Sequence, residues 1–88
     1  MDLNEFKKEL VEARENKKLL LGIKSTRESI SLGKAKLVAY AKNSPFISEF
    51  KKYGQLSKVE IFPYPEDGLS LGELCKKPFA VSALAVIK

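Results

Sequence analysis

Histidine and tryptophan are absent from the 88-residue chain, cysteine occurs once, and glycine and proline together supply only nine residues. Each shortage excludes something. Without histidine the chain lacks the most usual general base and the commonest metal ligand. The lone Cys75 allows no internal disulfide and no cysteine-rich metal site, and it has no histidine to activate it; it fits a reducing compartment. The phosphate-cradling patterns G-x-x-x-x-G-K-[ST] and G-x-G-x-x-G do not occur. The longest apolar runs, near Leu19 to Leu21 and Phe79 to Ile87, fall far short of the ~20 residues that span a bilayer. The first residues, Met1 to Glu5, have neither a basic start nor an apolar core, so no secretory leader is expected. With 44% apolar residues, the composition is that of a folded domain rather than a disordered segment. These readings predict one soluble, cytoplasmic domain over residues 1–88, without catalytic residues, metal or cofactor, and with no membrane partner.

One catalytic pattern is present by letter. Gly68-Leu69-Ser70-Leu71-Gly72 matches the G-x-S-x-G nucleophile elbow. That elbow needs a strand before it and a histidine to activate its serine. Here a proline-rich loop precedes it and no histidine exists, so Ser70 is expected to cap a helix. Glu66 and Asp67 read as solvated turn residues.

The charge is +5 overall, and its distribution is uneven. Residues 1–16 carry three basic and five acidic side chains, for −2. Residues 17–58 carry ten basic and two acidic, for +8, and residues 59–88 carry three and four, for −1. A positive middle is the footprint of a surface that meets a polyanion, although a lysine-rich solvated surface has the same composition.

Apolar spacing at Leu3, Phe6, Leu10 and Ala13 predicts a first amphipathic helix from Leu3 to Arg14, with Asp2 as its cap and Glu5 completing a capping box. Lys18 to Ile23 reads as a strand stopped by Gly22. Ser25-Thr26-Arg27-Glu28 has capping-box spacing for a second helix that Gly33 ends. Ala35 to Ala41 is a second strand. Asn43-Ser44-Pro45 is a turn in which Ser44 caps and Pro45 opens a third helix, with Phe46, Ile47, Phe50 and Tyr53 inward and an end at Gly54. Lys58 to Phe62 is a third strand. After the Pro63–Gly68 loop, Ser70-Leu71-Gly72-Glu73 spells another capping box, with Leu69 and Leu74 as a hydrophobic staple. Phe79 to Ile87 is a last strand, apolar on both faces. Such a strand must be covered above and below. Alternating helices and strands then give an α/β fold: a three-layer α/β/α sandwich on a four-stranded mixed sheet.

Three basic segments sit at element junctions. Gly22-Ile23-Lys24-Ser25-Thr26-Arg27 leads into a helix, where free N–H groups and the helix dipole favour phosphate and Lys24 and Arg27 add charged donors. An ordinary capped helix explains the same residues. Lys42-Asn43-Ser44 follows the second strand; the Asn43 amide can meet a base edge or merely close a turn. Lys76-Lys77-Pro78-Phe79 precedes the last strand, and Phe79 can stack on a base or join the core.

Taken together, Leu19-Leu20-Leu21-Gly22-Ile23-Lys24-Ser25-Thr26, Gly33-Lys34-Ala35-Lys36-Leu37-Val38, Ala41-Lys42-Asn43-Ser44-Pro45, Leu69-Ser70-Leu71-Gly72 and Lys77-Pro78-Phe79-Ala80-Val81-Ser82-Ala83-Leu84-Ala85 resemble the kink-turn-binding ribosomal protein superfamily. The nearest branch is the archaeal and eukaryotic large-subunit one of L-thirty-e type. The sibling branch of L-seven-Ae type shows Asn-Glu where Lys24-Ser25 stand. Two departures fall in the last loop: Lys76 where relatives often have Gly, and Ala80 where some carry Arg or Thr. The resemblance implies the same α/β/α fold and an RNA partner, a kink-turn in large-subunit ribosomal RNA, with ribosomal neighbours; separately, a monomer when free is expected. It implies RNA contact by Gly22, Lys24, Ser25, Thr26, Arg27, Lys42, Asn43, Ser44, Lys77, Phe79 and Val81. Lys24 and Asn43 would meet guanine edges or phosphates, Ser25 and Thr26 would help at the helix start, and Phe79 and Val81 would pack on an extruded nucleotide. Two other readings stay open: a kink-turn binder outside the ribosome, in RNA processing or translation regulation, and a protein-interaction module on the same fold.

Overall fold

In the computed structural model, which describes residues 2–56 and 59–88, the first helix starts where local chemistry places it. The Asp2 carboxylate accepts the Glu5 N–H at 2.8 Å and opens α1 (Leu3–Glu15). Phe6, Leu10 and Ala13 are its buried stripe. The chain continues through β1 (Leu19–Leu21), α2 (Ile23–Ser31), β2 (Ala35–Tyr40), α3 (Ile47–Leu56), β3 (Glu60–Pro63), α4 (Gly68–Leu74) and β4 (Ala83–Ile87). Gly33 ends α2 as expected: its N–H reaches the Ile30 carbonyl at 3.1 Å and the Lys34 N–H reaches Ser29 at 2.9 Å, the paired bonds of a Schellman stop.

The sheet is four-stranded and mixed, in the order β1-β4-β2-β3. β4 runs antiparallel to both β1 and β2, and β2 runs parallel to β3. Both faces are apolar because both are covered. One face presents Leu19, Leu21, Leu37, Ala39, Leu84, Val86 and Phe62 to α1 and α4. The other presents Leu20, Val38, Tyr40, Ala83, Ala85 and Ile61 to α2 and α3. The alternation along β1, β2 and β4 follows the strand period of two. Ala35 breaks it, lying on the face of Val38 and Tyr40, and a register shift between Ala35 and Leu37 accounts for that. Stacked rings fix each layer: Phe6 on Phe62 at 4.4 Å between centroids, and Tyr40 on Phe50 at 6.1 Å. This is the expected three-layer α/β/α sandwich. Among the described residues no helix is long and apolar enough to cross a membrane.

Several boundaries differ from the sequence expectation, each for a physical reason. α2 begins at Ile23, directly after Gly22, whose φ of 100° suits glycine; Ser25-x-x-Glu28 therefore lies inside the helix and caps nothing. α3 begins at Ile47, leaving Phe46 exposed, while the Ser44 hydroxyl is buried without a partner instead of capping. Gly54 does not stop α3, which runs on to Leu56; a Cβ at Gly54 would come within 2.5 Å of Ile61, so it is a packing position. α4 is capped by Asp67, whose carboxylate accepts the Ser70 N–H at 3.0 Å. The Ser70 hydroxyl instead bonds the Tyr64 hydroxyl at 2.9 Å, and Leu69 is exposed on the helix, so it staples nothing. The third strand occupies Glu60–Pro63, and Lys58, expected to begin it, lies outside the described residues. β4 starts only at Ala83, because the segment before it is bound to α4: Val81 N–H donates to the Gly68 carbonyl at 2.9 Å.

Two predictions follow from this packing. A Cβ on Gly72 would clash with the Phe79 carbonyl, a backbone atom that cannot swing aside as a side chain could. Gly72→Ala is expected to cost about 1–3 kcal/mol in denaturant unfolding; a loss below ~0.5 kcal/mol would mean that the Phe79 segment yields freely. Burial pushes the Cys75 thiol from 9.0 up to about 11, against the pull of Arg14 and Lys77. The folded chain thus holds this proton more tightly than the unfolded one. Its contribution is complete below pH 9 and is lost as pH climbs from 9 to 11. Between pH 8 and 11 the unaltered chain should lose on the order of 2 kcal/mol more stability than Cys75→Ala; equal losses would contradict this.

Candidate nucleic-acid interface

Strand direction decides which loops meet. Leu21 at the end of β1 pairs with Leu84, and Tyr40 at the end of β2 pairs with Ala83 at the start of β4. The segments after β1, after β2 and before β4 therefore share one end of the sheet. β3 finishes there too, with Tyr40 opposite Pro63. Backbone bonds knit the segments together. Gly22 N–H donates to Ala83 at 2.9 Å, Ala41 N–H to Ser82 at 2.9 Å and Lys42 N–H to Glu66 at 3.0 Å.

Asn43 has a defined job in this scaffold. Its side-chain oxygen accepts the Gly68 N–H at 3.0 Å, at the start of α4. That bond fixes the orientation of the amide and leaves the NH₂ group, on an exposed residue, as a pair of donors without a protein partner among the described residues. Lys24 and Lys42, in the segments that meet at this end, and Lys76 and Lys77, after α4, are exposed, and among the described residues none of the four forms an ion pair; Lys76 lies toward α1, beside Lys7 and Arg14. Glu66 and Asp67 lie at the same end; Asp67 is occupied as the α4 cap.

Between the β1–α2 junction and the segment before β4 lies a cleft of about 300 Å³, lined by Leu21, Gly22, Ile23, Phe79, Ala80, Val81 and Ser82. Phe79 is 51% exposed at its rim, while Val81, 2% exposed, forms part of its wall. The cleft is largely apolar, with one aromatic edge and lysines nearby. That combination suits a flat, partly apolar group attached to a phosphate chain.

The eleven residues singled out by sequence thus separate. Gly22, Lys24, Ser25, Lys42, Asn43, Lys77 and Phe79 retain some exposure at this end of the sheet. Thr26 does not: it is wholly buried, and its hydroxyl donates to the Gly22 carbonyl at 2.7 Å, so it builds the helix start and offers a ligand nothing. Ser44 is likewise buried, and Val81 can be touched only through the cleft. Arg27 is already engaged. Its Nε–H donates to the Glu49 carboxylate at 2.7 Å, and its guanidinium lies 4.5 Å over the Phe46 ring. Half-exposed contacts of these kinds are worth about 0–1 kcal/mol each. Sequence reading missed Glu49 and Phe46 as Arg27 partners, and Leu21, Ile23, Ala80 and Ser82 as cleft lining. No spacing rule could have found the Arg27 partners, because residues 19 and 22 positions away meet it only through the tertiary fold. Among the described residues no group of three or more acidic, cysteine or histidine side chains could hold a metal ion.

The family model for the ribosomal protein L7Ae/L30e/S12e/Gadd45 family matches residues 4–88. The chain is 41% identical over 83 residues to the large ribosomal subunit protein eL30 of Methanospirillum hungatei, covering 93% of this chain and 85% of that protein. It is 36% identical to eL30 of Methanocaldococcus jannaschii, covering 99% of this chain and 78% of the relative. Against eL30B of Schizosaccharomyces pombe, identity is 42%, over 80% of this chain and 62% of the relative. Among solved structures, the Giardia lamblia 15.5kD RNA binding protein superposes with a TM-score of 0.83 over 96% of this chain and 72% of its own, at 16% identity. That likeness establishes the shared fold. The named relatives are ribosomal proteins rather than enzymes. By its sequence from Asn4 to Lys88, and by a fold that agrees, this chain belongs to the ribosomal protein L7Ae/L30e/S12e/Gadd45 family.

Proposed function

We propose that this protein is a non-catalytic RNA-binding component of the large ribosomal subunit that recognises a kink-turn and holds it bent, acting as one domain and as a monomer when free. The observation that carries the proposal is that the β1–α2 segment with Lys24, the β2–α3 segment with Asn43 and the segment before β4 with Lys77 and Phe79 meet at one end of the sheet, where Phe79 stands at the rim of an apolar cleft. The resemblance to eL30 proteins supports the ribosomal setting.

In this reading the lysines neutralise phosphates and set position, while the Asn43 NH₂ donors and the cleft supply discrimination. A regular A-form helix hides its base edges in a deep, narrow groove. A sharply bent RNA splays them open, and its strands close on each other at a cost in phosphate repulsion that nearby lysines relieve. Protein that binds only the bent form draws the flexible RNA ensemble toward it. The apolar cleft beside Phe79 accepts an unstacked nucleotide, for which a continuous duplex has no counterpart.

Fluorescence anisotropy with a kink-turn RNA, and with the same RNA carrying Watson–Crick pairs in place of its tandem G·A pairs, tests this reading. Clear preference for the kinked RNA is expected; equal, weak and salt-sensitive binding to both would refute it. Two substitutions separate the roles. Lys24→Ala with Lys42→Ala should weaken binding to both RNAs and flatten the salt dependence by roughly 0.7–0.9 per lost phosphate contact. Asn43→Asp keeps the oxygen that accepts the Gly68 N–H but replaces the outward donors with an acceptor. It should lower affinity for the kinked RNA at least about tenfold while the chain stays folded, since a good base-edge contact is worth about 1–3 kcal/mol. Unchanged affinity would remove Asn43 from the interface.

A further inference from the structure

We infer that Glu49 is a specificity-determining residue: by neutralising Arg27 beside the RNA-binding end, it withholds one cation from indiscriminate phosphate binding. The inference rests on the RNA-binding reading above and adds to it a residue that touches no RNA.

Geometry places the pair. α2 and α3 both start at the loop end of the sheet, and Arg27 and Glu49 lie within roughly 6 Å of rise from those starts. Their side chains meet at 2.7 Å, each about one-third to two-fifths exposed. The guanidinium is also seated 4.5 Å over Phe46, the residue just before α3. Arg27 is therefore held on two sides, by a carboxylate on one helix and by an aromatic ring at that helix's entrance. It joins the β1–α2 segment to the β2–α3 segment, and both belong to the candidate interface. The neighbouring cations behave differently, since Lys24 and Lys42 are exposed and unpaired among the described residues.

The electrostatic consequence is unequal for the two kinds of RNA. An unbent duplex binds in many registers through phosphates alone, so any additional free cation strengthens it. A kinked RNA is held in one register by the loops and the cleft. It gains from Arg27 only if a phosphate falls beside it. Pairing Arg27 with Glu49 thus lowers background binding more than specific binding, and specificity is the difference between them.

Glu49→Gln tests this directly, because glutamine keeps an oxygen for the Arg27 Nε–H and removes only the charge. We expect it to raise affinity for the Watson–Crick control RNA on the order of 3–10-fold and to steepen that RNA's salt dependence by about 0.7–0.9. Preference for the kinked RNA should shrink accordingly. Arg27→Gln alone should leave the salt slope unchanged, and the double variant should return control-RNA binding to the original level, showing that the effect runs through Arg27. Thermal unfolding of all three variants checks that they fold. Unchanged or weaker control binding by Glu49→Gln, or an equal gain on both RNAs, would overturn the inference. If the unaltered chain shows no preference for kinked RNA, the RNA-binding reading fails instead; the salt slopes of Arg27→Gln and Glu49→Gln still decide whether Glu49 silences Arg27.

Discussion

The antiparallel pairing of β4 with β1 on one side and β2 on the other is the constraint on which the rest depends. It buries Ala83, Leu84, Ala85 and Val86 in the middle of the sandwich, where both faces must be covered by helices. The same pairing brings the segments that follow β1 and β2 and the segment that precedes β4 to a single end. The proposed RNA-binding surface, assembled from residues 22–27, 41–46 and 77–82, is thus a by-product of strand direction. No loop in it folds by itself; each is anchored by backbone bonds to another, as Gly22 and Ala41 are to Ala83 and Ser82.

Rigidity at this end comes from close approach. Gly72 lets the Phe79 carbonyl lie against α4, and Gly68 sits under the Val81 backbone. Asn43 reaches across to the start of α4, so the β2–α3 segment and the segment before β4 are tied to one short helix. Binding groups held in this way lose little freedom on meeting a ligand, which favours affinity per contact. α4 is only seven residues long, yet it positions two of the three loops. Its Leu71 and the Cys75 that ends it are packed as core, which places the sole thiol out of reach of reagents.

Sequence patterns carried the layers and lost the junctions. Helical spacing at Phe6, Leu10 and Ala13, and the two-sided apolar strands, lead directly to the sandwich because burial rewards periodicity wherever it occurs. Capping motifs misled three times, at Ser25, Ser44 and Ser70, since the S-x-x-E spacing or a serine before proline also arises within and beside helices. Thr26, by its hydroxyl at the helix start, and Arg27, as a charged donor, were both expected to meet RNA. One is buried against the Gly22 carbonyl and the other is paired with Glu49, and only the tertiary arrangement distinguishes them. The cleft itself had no local signature, because its walls come from positions near 22 and near 80.

In the proposed function three distant segments form one RNA-binding surface at one end of the sheet. Amide chemical-shift mapping of the labelled protein, titrated with a kink-turn RNA, tests that most directly. The largest changes are expected on residues 22–25, 41–44 and 77–82 together, saturating at the same RNA concentration. Changes concentrated at the opposite end, around Lys18, Lys34 and Lys88, or along the exposed face of α1, would contradict it.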